Sequence, residues 1–169
     1  MKKDTYIKMT AQFRENTGAA KKLELLNKIA TYTIFIIYPI FILYMCFTSS
    51  PSLAYSMIMP LDGFIVVSVF RYLVNRPRPY EKFALPPVIP KNTHGRSFPS
   101  RHVFSAFIIS FTILMYAPAA SLFACIGIVL CALSIVIAVV RVISGVHYIS
   151  DVLGALIFAI IEAAVFYLL

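Results

Sequence analysis

The sequence predicts an all-α integral membrane bundle of five transmembrane helices with an N-terminal interfacial segment. Three observations carry that reading. Apolar residues make up 60% of the 169 residues, and mean hydropathy is +0.86. Charged residues make up only 13%, about half the share of a soluble globular domain. The apolar residues also fall in runs long enough to cross a bilayer, separated by short polar segments. A chain of this length offers one compact unit, and its few charges could not cover that much apolar surface in water. A soluble enzyme, a disordered chain and a collagen-like or coiled-coil fibre are thereby excluded.

Residues 1–28 hold seven Lys/Arg and three acids, interleaved with Ile7, Met9, Phe13, Leu23, Leu25 and Leu26. That pattern fits either a basic, partly amphipathic segment among lipid headgroups or a mobile basic tail, with 29–169 as the membrane-embedded domain. Residues 29–47 form the first span, 19 residues without a charge against the roughly 20 that ~30 Å of hydrocarbon requires. Pro39 is expected to kink it. The second span, 53–70, contains Pro60 and Asp62. A polar, proline-rich stretch follows over 71–101, and its piece at 86–90 reads as an ordered loop at the interface. From 103 to 140 there are 38 residues without a charge, about 57 Å as a single helix. Two spans are required there, with the break at 117–121 around Pro118. The last span is 152–169, with Glu162 inside it.

Alternation puts residues 1–28, 71–101 and 141–151 on one side of the membrane, and all 15 Lys/Arg with them. The positive-inside rule makes that side cytoplasmic, although arginines needed for chemistry carry less topological weight. A net charge of +8 and a pI near 9.5 call for an anionic partner. Because the basic residues lie between apolar runs, lipid headgroups or a phosphorylated lipid fit better than nucleic acid. Cys46, Cys125 and Cys131 lie in apolar runs without C-x-x-C spacing and read as small hydrophobes. Residues 1–28 lack the apolar core of a cleavable signal peptide.

The ionisable residues of the polar side fall into three blocks. Arg71 and Arg78 stand seven apart, which would stack them on one helix face, ahead of Pro79. Ser97-Phe-Pro-Ser-Arg-His102 precedes an apolar run, with Ser100 placed as an N-cap and the helix start as an anion site. His147 and Asp151 stand four apart, so one helical turn sets the carboxylate beside the imidazole. Guanidinium forks grip phosphate oxygens bidentately, and three of them can neutralise a phosphoryl group without a metal. An imidazole held through Nδ1 by a carboxylate offers Nε2 as a nucleophile or base, and a second imidazole can protonate a leaving oxygen.

These blocks resemble the signature of the type 2 phosphatidic acid phosphatases, relatives of bacterial acid phosphatases and vanadium haloperoxidases. The family pattern K-x6-R-P, P-S-G-H and S-R-x5-H-x3-D is met by Arg71-x6-Arg78-Pro79, Pro99-Ser100-Arg101-His102 and Val140-Arg141-x5-His147-x3-Asp151. A register using Arg76-Pro77 fails, because position 69 is Val. Arg71 stands for the family's Lys, Arg101 for its Gly and Val140 for its Ser, and one of the family's usual six spans is missing. The resemblance implies that His147 attacks phosphorus, Asp151 orients it, and His102 acts as general acid. Arg71, Arg78, Ser100, Arg101 and Arg141 would bind the phosphate, with no metal and no other cofactor.

The expected substrate is a lipid phosphate or diphosphate in a bacterial cytoplasmic membrane. Isoprenoid (undecaprenyl) diphosphate, phosphatidylglycerol phosphate and phosphatidic acid all remain open. Arg96 and Arg101 add charge where a second phosphate could sit. A metal site at His102, His147 and Asp151 is disfavoured by three neighbouring arginines. His94 reads as solvated, while Asp62 and Glu162, inside spans, belong to none of the blocks. A non-catalytic protein binding anionic lipid would need only the arginines, so the His–x3–Asp pair and His102 argue for an enzyme.

Overall fold

A computed structural model of the chain describes residues 3–169. Its elements are all helical among those residues: α1 (Lys3–Glu15), α2 (Thr17–Phe47), α3 (Leu53–Val74), α4 (Pro79–Phe83), α5 (Arg101–Tyr116), α6 (Leu122–Ile143) and α7 (Ile149–Leu168). The break expected around Pro118 separates α5 from α6, as the length argument requires. Pro39 and Pro60 both lie inside continuous helices.

Asn16 caps α2 through its side chain, which accepts from the Ala19 amide at 3.0 Å. The helix therefore starts well before residue 29, and position 28/29 falls inside it. The reason is local. Residues 19–26 are mostly strong helix formers, and Glu24 pairs with Lys28 at 2.7 Å, one turn on. Charges end the membrane span without ending the helix.

Four helical segments are long and apolar enough to cross a membrane: Thr17–Phe47, Leu53–Phe83 (which runs on through the 75–78 turn), Leu122–Ile143 and Ile149–Leu168. The remaining expected span, α5, has only 16 residues, about 24 Å of helix. It sits at the centre of the bundle, packed against α2, α3, α6 and α7. Every residue from Val103 to Ser110 is buried, the mark of a helix enclosed on all sides. The other helices expose Ile36, Leu43, Leu61, Val69, Ile128 and Ile157 outward. A helix shielded by the bundle need not cover the hydrocarbon by itself, which accounts for its shorter length.

Helix α1 crosses the loops on the polar side. Tyr6 is fully buried, and its hydroxyl donates to the carbonyls of Leu85 (3.4 Å) and Gly145 (3.5 Å). Arg14 donates to the Pro86 carbonyl at 2.6 Å. Gly145 has φ of +73°, and a Cβ there would lie 2.6 Å from the Tyr6 hydroxyl. Nearby, the Val88 amide donates to the Ser144 carbonyl at 2.9 Å. The basic N-terminal helix, the 84–100 segment and the α6–α7 turn thus share one side. With seven Lys/Arg in residues 1–28, the charge rule predicts that this side is cytoplasmic. Cysteines substituted at Lys3 and Lys91, in a chain lacking Cys46, Cys125 and Cys131, should both resist an impermeant maleimide in intact cells. Labelling of both would put this side outside, and labelling of one alone would contradict the shared side.

Candidate active site

The three sequence blocks converge on one small cavity of about 60 Å³, lined by Arg71, Arg78, Lys91, Thr93, Arg101, His102, Arg141 and His147. That is room for a handful of heavy atoms, the size of a phosphoryl group. Arg71 ends α3 and Arg141 ends α6, while Arg101 and His102 open α5. Arg78 and His147 lie in the turns just before α4 and α7.

Two details differ from expectation. Arg71 and Arg78 do not stack on one helix face, because α3 ends at Val74 and Asn75 turns the chain with φ of +39°. Arg78 becomes the N-cap of α4, with its amide held by Glu81 Oε2 at 2.7 Å. The two guanidinia meet across that turn. Nor does a full helical turn join His147 to Asp151. Tyr148, between them, is the extended N-cap of α7, and its amide donates to Asp151 Oδ2 at 2.9 Å. This capping geometry brings Oδ2 within 3.3 Å of His147 Nδ1.

Asp151 is fully buried and surrounded by donors. Its Oδ2 also accepts from the Ser97 hydroxyl. Its Oδ1 accepts from Arg76 at 2.9 Å. The Ser100 amide donates to the Asp151 carbonyl at 2.9 Å, tying the start of α5 to α7. Gly154 completes that junction, since a Cβ there would lie 2.4 Å from the Phe98 ring.

Among the described residues, Arg71, Arg78 and Arg141 have no carboxylate within 4.0 Å. Arg71, Arg78 and Arg141 are 7%, 5% and 6% exposed. Arg71 donates to the Pro99 carbonyl and Arg78 to the Gly95 carbonyl at 3.1 Å. Arg78 also lies 3.5 Å from His147 Nε2. Arg141 Nε has no partner among the described residues, and neither has the buried Ser100 hydroxyl. Ser100 stands at the N-cap of α5, but its side chain makes no capping bond. Buried donors of this kind call for a partner.

Burial holds the Lys91 ammonium below its ordinary range, reinforced by the charges of Arg141, Arg78 and Arg101. The His147 imidazole is lowered to about 4, chiefly by burial, with Arg78 and Arg141 adding to the effect and Asp151 opposing it.

Arg76, Ser97, Lys91 and Glu81 were not among the expected site residues. Glu81 organises the turn before α4, accepting from the amides of Arg78 at 2.7 Å and Gly95 at 3.0 Å. The exposed His94 pairs with Glu81 at 3.0 Å and lines a cavity of about 290 Å³ with Ser68, Arg96 and Arg101. Arg71, Arg78, Thr93 and Arg101 line both this polar vestibule and the small cavity. In the other direction, Arg101 and His102 also line an apolar groove with Phe35, Phe64 and Ser105. That groove continues past Met57, Leu61 and Ile109, between α2 and α3.

The family model of the PAP2 superfamily matches residues 51–169, which carry all three blocks. The chain belongs to the PAP2 superfamily. Its fold is similar to the crystal structure of Aquifex aeolicus LpxE, with a TM-score of 0.70 at 18% identity over 98% of this chain and 94% of that one. It is also similar to the transmembrane PAP2-type phosphatidylglycerolphosphate phosphatase from Bacillus subtilis, with a TM-score of 0.59 at 15% identity, over 96% and 90% of the two chains. At such identities the likeness is one of fold. No curated protein matches the chain. Within this PAP2 chain the lowered His147 value fixes a sign. Above about pH 4 the imidazole is neutral, the form a nucleophile at this position would need, and below it the ring carries a proton. The acid limb of kcat/KM should therefore fall near pH 4, well below the ordinary imidazole value of about 6.5. A pH–rate profile with its acid limb at 6–7 would contradict the buried, neutral ring.

Proposed function

We propose that this chain is a metal-independent lipid phosphatase that works through a phosphohistidine. The observation that carries the reading is the cavity itself: three buried guanidinia with no carboxylate of their own, beside an imidazole held by one. Buried charges are retained only where something pairs them. A phosphoryl group supplies the missing charge and fits the space.

In the first step His147 Nε2 attacks phosphorus. The P–N bond forms as the P–O bond to the lipid breaks, and His102 gives its proton to the leaving oxygen. Arg71, Arg78, Arg141 and the start of α5, with Ser100 and Arg101, bind the equatorial oxygens, where fixed charge supplies most of the acceleration. In the second step His102 takes a proton from water as that water attacks phosphorus. The P–N bond breaks, His147 regains its lone pair, and inorganic phosphate leaves. Asp151 accepts four donors in all, which makes it a weak base, and it orients the ring without taking its proton.

The apolar groove beside His102 supports a lipid substrate, since it begins where the leaving oxygen would be. A larger apolar groove between α6 and α7, of about 330 Å³, shares no residue with the small cavity and has no part in the reading. A lipid monophosphate or diphosphate satisfies the site.

Purified protein in detergent should release phosphate from such a lipid in excess EDTA, and vanadate should inhibit it as a mimic of the transferring group. Activity lost in EDTA and restored by magnesium would overturn the mechanism. The two histidines should also separate. His147→Ala should abolish turnover of every substrate, whereas His102→Ala should cost ~10²–10⁴-fold with the lipid and much less with an activated aryl phosphate. Equal losses with both esters would remove His102 as the acid.

A further inference from the structure

Arg76 is one of the unspecified positions between Arg71 and Arg78 in the first block and lines neither the small cavity nor the vestibule, yet its side chain is bonded directly to Asp151. Its guanidinium donates to Asp151 Oδ1 at 2.9 Å and to the Ser150 hydroxyl at 2.8 Å. It also lies 4.2 Å over the Tyr148 ring, the residue that caps α7 between His147 and Asp151. Its carbonyl accepts from the Ser97 amide at 2.9 Å, and the Ser97 hydroxyl donates to Asp151 Oδ2. Arg76 thus grips both oxygens of one carboxylate, Oδ1 directly and Oδ2 through Ser97.

We propose that Arg76 is a positioning residue: through Asp151 it fixes the orientation of the His147 imidazole and limits the negative charge that ring experiences. A carboxylate held only through Oδ2 could rotate about its χ2, and a salt bridge on Oδ1 stops that rotation. A carboxylate shared with a guanidinium also draws a proton onto a neighbouring imidazole less strongly than a free one. The nucleophile must be neutral at Nε2, so that sharing favours the reactive form. The other charges around His147 are Arg71 at the end of α3, Arg78 before α4, Lys91 in the loop, Arg101 on α5 and Arg141 on α6, and the titratable His102 of α5 lines the same cavity. The five cations oppose protonation, and none changes when Arg76 is replaced. Asp151 itself faces Ser97, the Tyr148 amide, His147 and Arg76.

The inference rests on the phosphatase reading, and one set of assays separates the two. Phosphate release from a lipid phosphate would be followed from about pH 3 to about pH 9, so that the limb expected near pH 4 is covered, for the unaltered protein, Arg76→Gln, Arg76→Lys, Asp151→Asn and the double variant Arg76→Gln/Asp151→Asn. No release by the unaltered protein would sink the phosphatase reading. Given release, Arg76→Gln should lower kcat by roughly 10- to 100-fold, because displacement of a reacting group by ~1 Å can cost about 10²-fold. Its acid limb should move up by about one pH unit, with KM little changed. Arg76→Lys keeps the charge without the fork, so its limb should stay in place with a smaller loss in kcat. On the Asp151→Asn background, Arg76→Gln should add little further loss. An unmoved limb in Arg76→Gln, or full additivity with Asp151→Asn, would overturn the proposal. Should Arg76→Gln fail to fold, Arg76→Lys decides alone: a kcat equal to the unaltered protein's, or a loss confined to KM, would count against it.

Discussion

Three guanidinia buried around a space the size of one phosphoryl group, with no carboxylate assigned to them, set the terms for the rest of the structure. Such an arrangement repels itself, and each charge has given up most of its water. It holds only because every arginine is anchored at the end of a helix or in a capped turn whose position is fixed elsewhere. Arg71 and Arg141 occupy the last turns of α3 and α6, where a cation is also favoured by the helix dipole. Arg78 sits in a turn organised by Glu81, which binds the amides of Arg78 and Gly95. The nearby buried carboxylate, Asp151, is committed to His147, Ser97, Tyr148 and Arg76. Under the proposed function a phosphoryl group supplies the charge the cavity lacks.

The bundle serves that arrangement by enclosing α5. Because α5 is surrounded by α2, α3, α6 and α7, its first turn can carry His102 at the base of the loops without facing lipid on every side. Its start is tied to α7 by the Ser100 amide and the close contact of Phe98 with Gly154. From above, α1 lies over the α6–α7 turn through Tyr6, whose hydroxyl reaches Gly145, two residues before His147. The reactive turn is thus fixed on both sides, by α5 below and α1 above.

The spans and the three blocks were legible because they depend on local sequence: runs of apolar residues for the helices, and spacing for the blocks. What was not legible depends on turns. Arg71 and Arg78 look like one helical face until Asn75 adopts a left-handed conformation, and nothing in their spacing signals that. Arg76 fails as a motif register, yet its side chain crosses from the α3–α4 turn to α7. Contacts between residues as far apart as 76 and 151 leave no periodicity to read. The start of α2 differs from expectation for another reason, since hydropathy reports the membrane boundary and helix propensity reports the helix.

The substrate question narrows once the leaving group is placed. In the proposed attack by His147, with His102 as the acid, the leaving oxygen would lie towards His102, which lines the apolar groove and not the vestibule. In a lipid diphosphate the second phosphate is part of the leaving group, so it would lie beside His102 and not near Arg96. The cation at that position is Arg101, which lines the small cavity, the vestibule and the groove alike and rests 5.3 Å over the Phe64 ring. Arg96 lines the vestibule but neither the small cavity nor the groove, and is stacked 5.1 Å over Tyr72. Of the two arginines that suggested a diphosphate, only Arg101 bears on the choice. It stands where the family pattern has glycine, so a preference for one phosphate or two would rest on this one side chain.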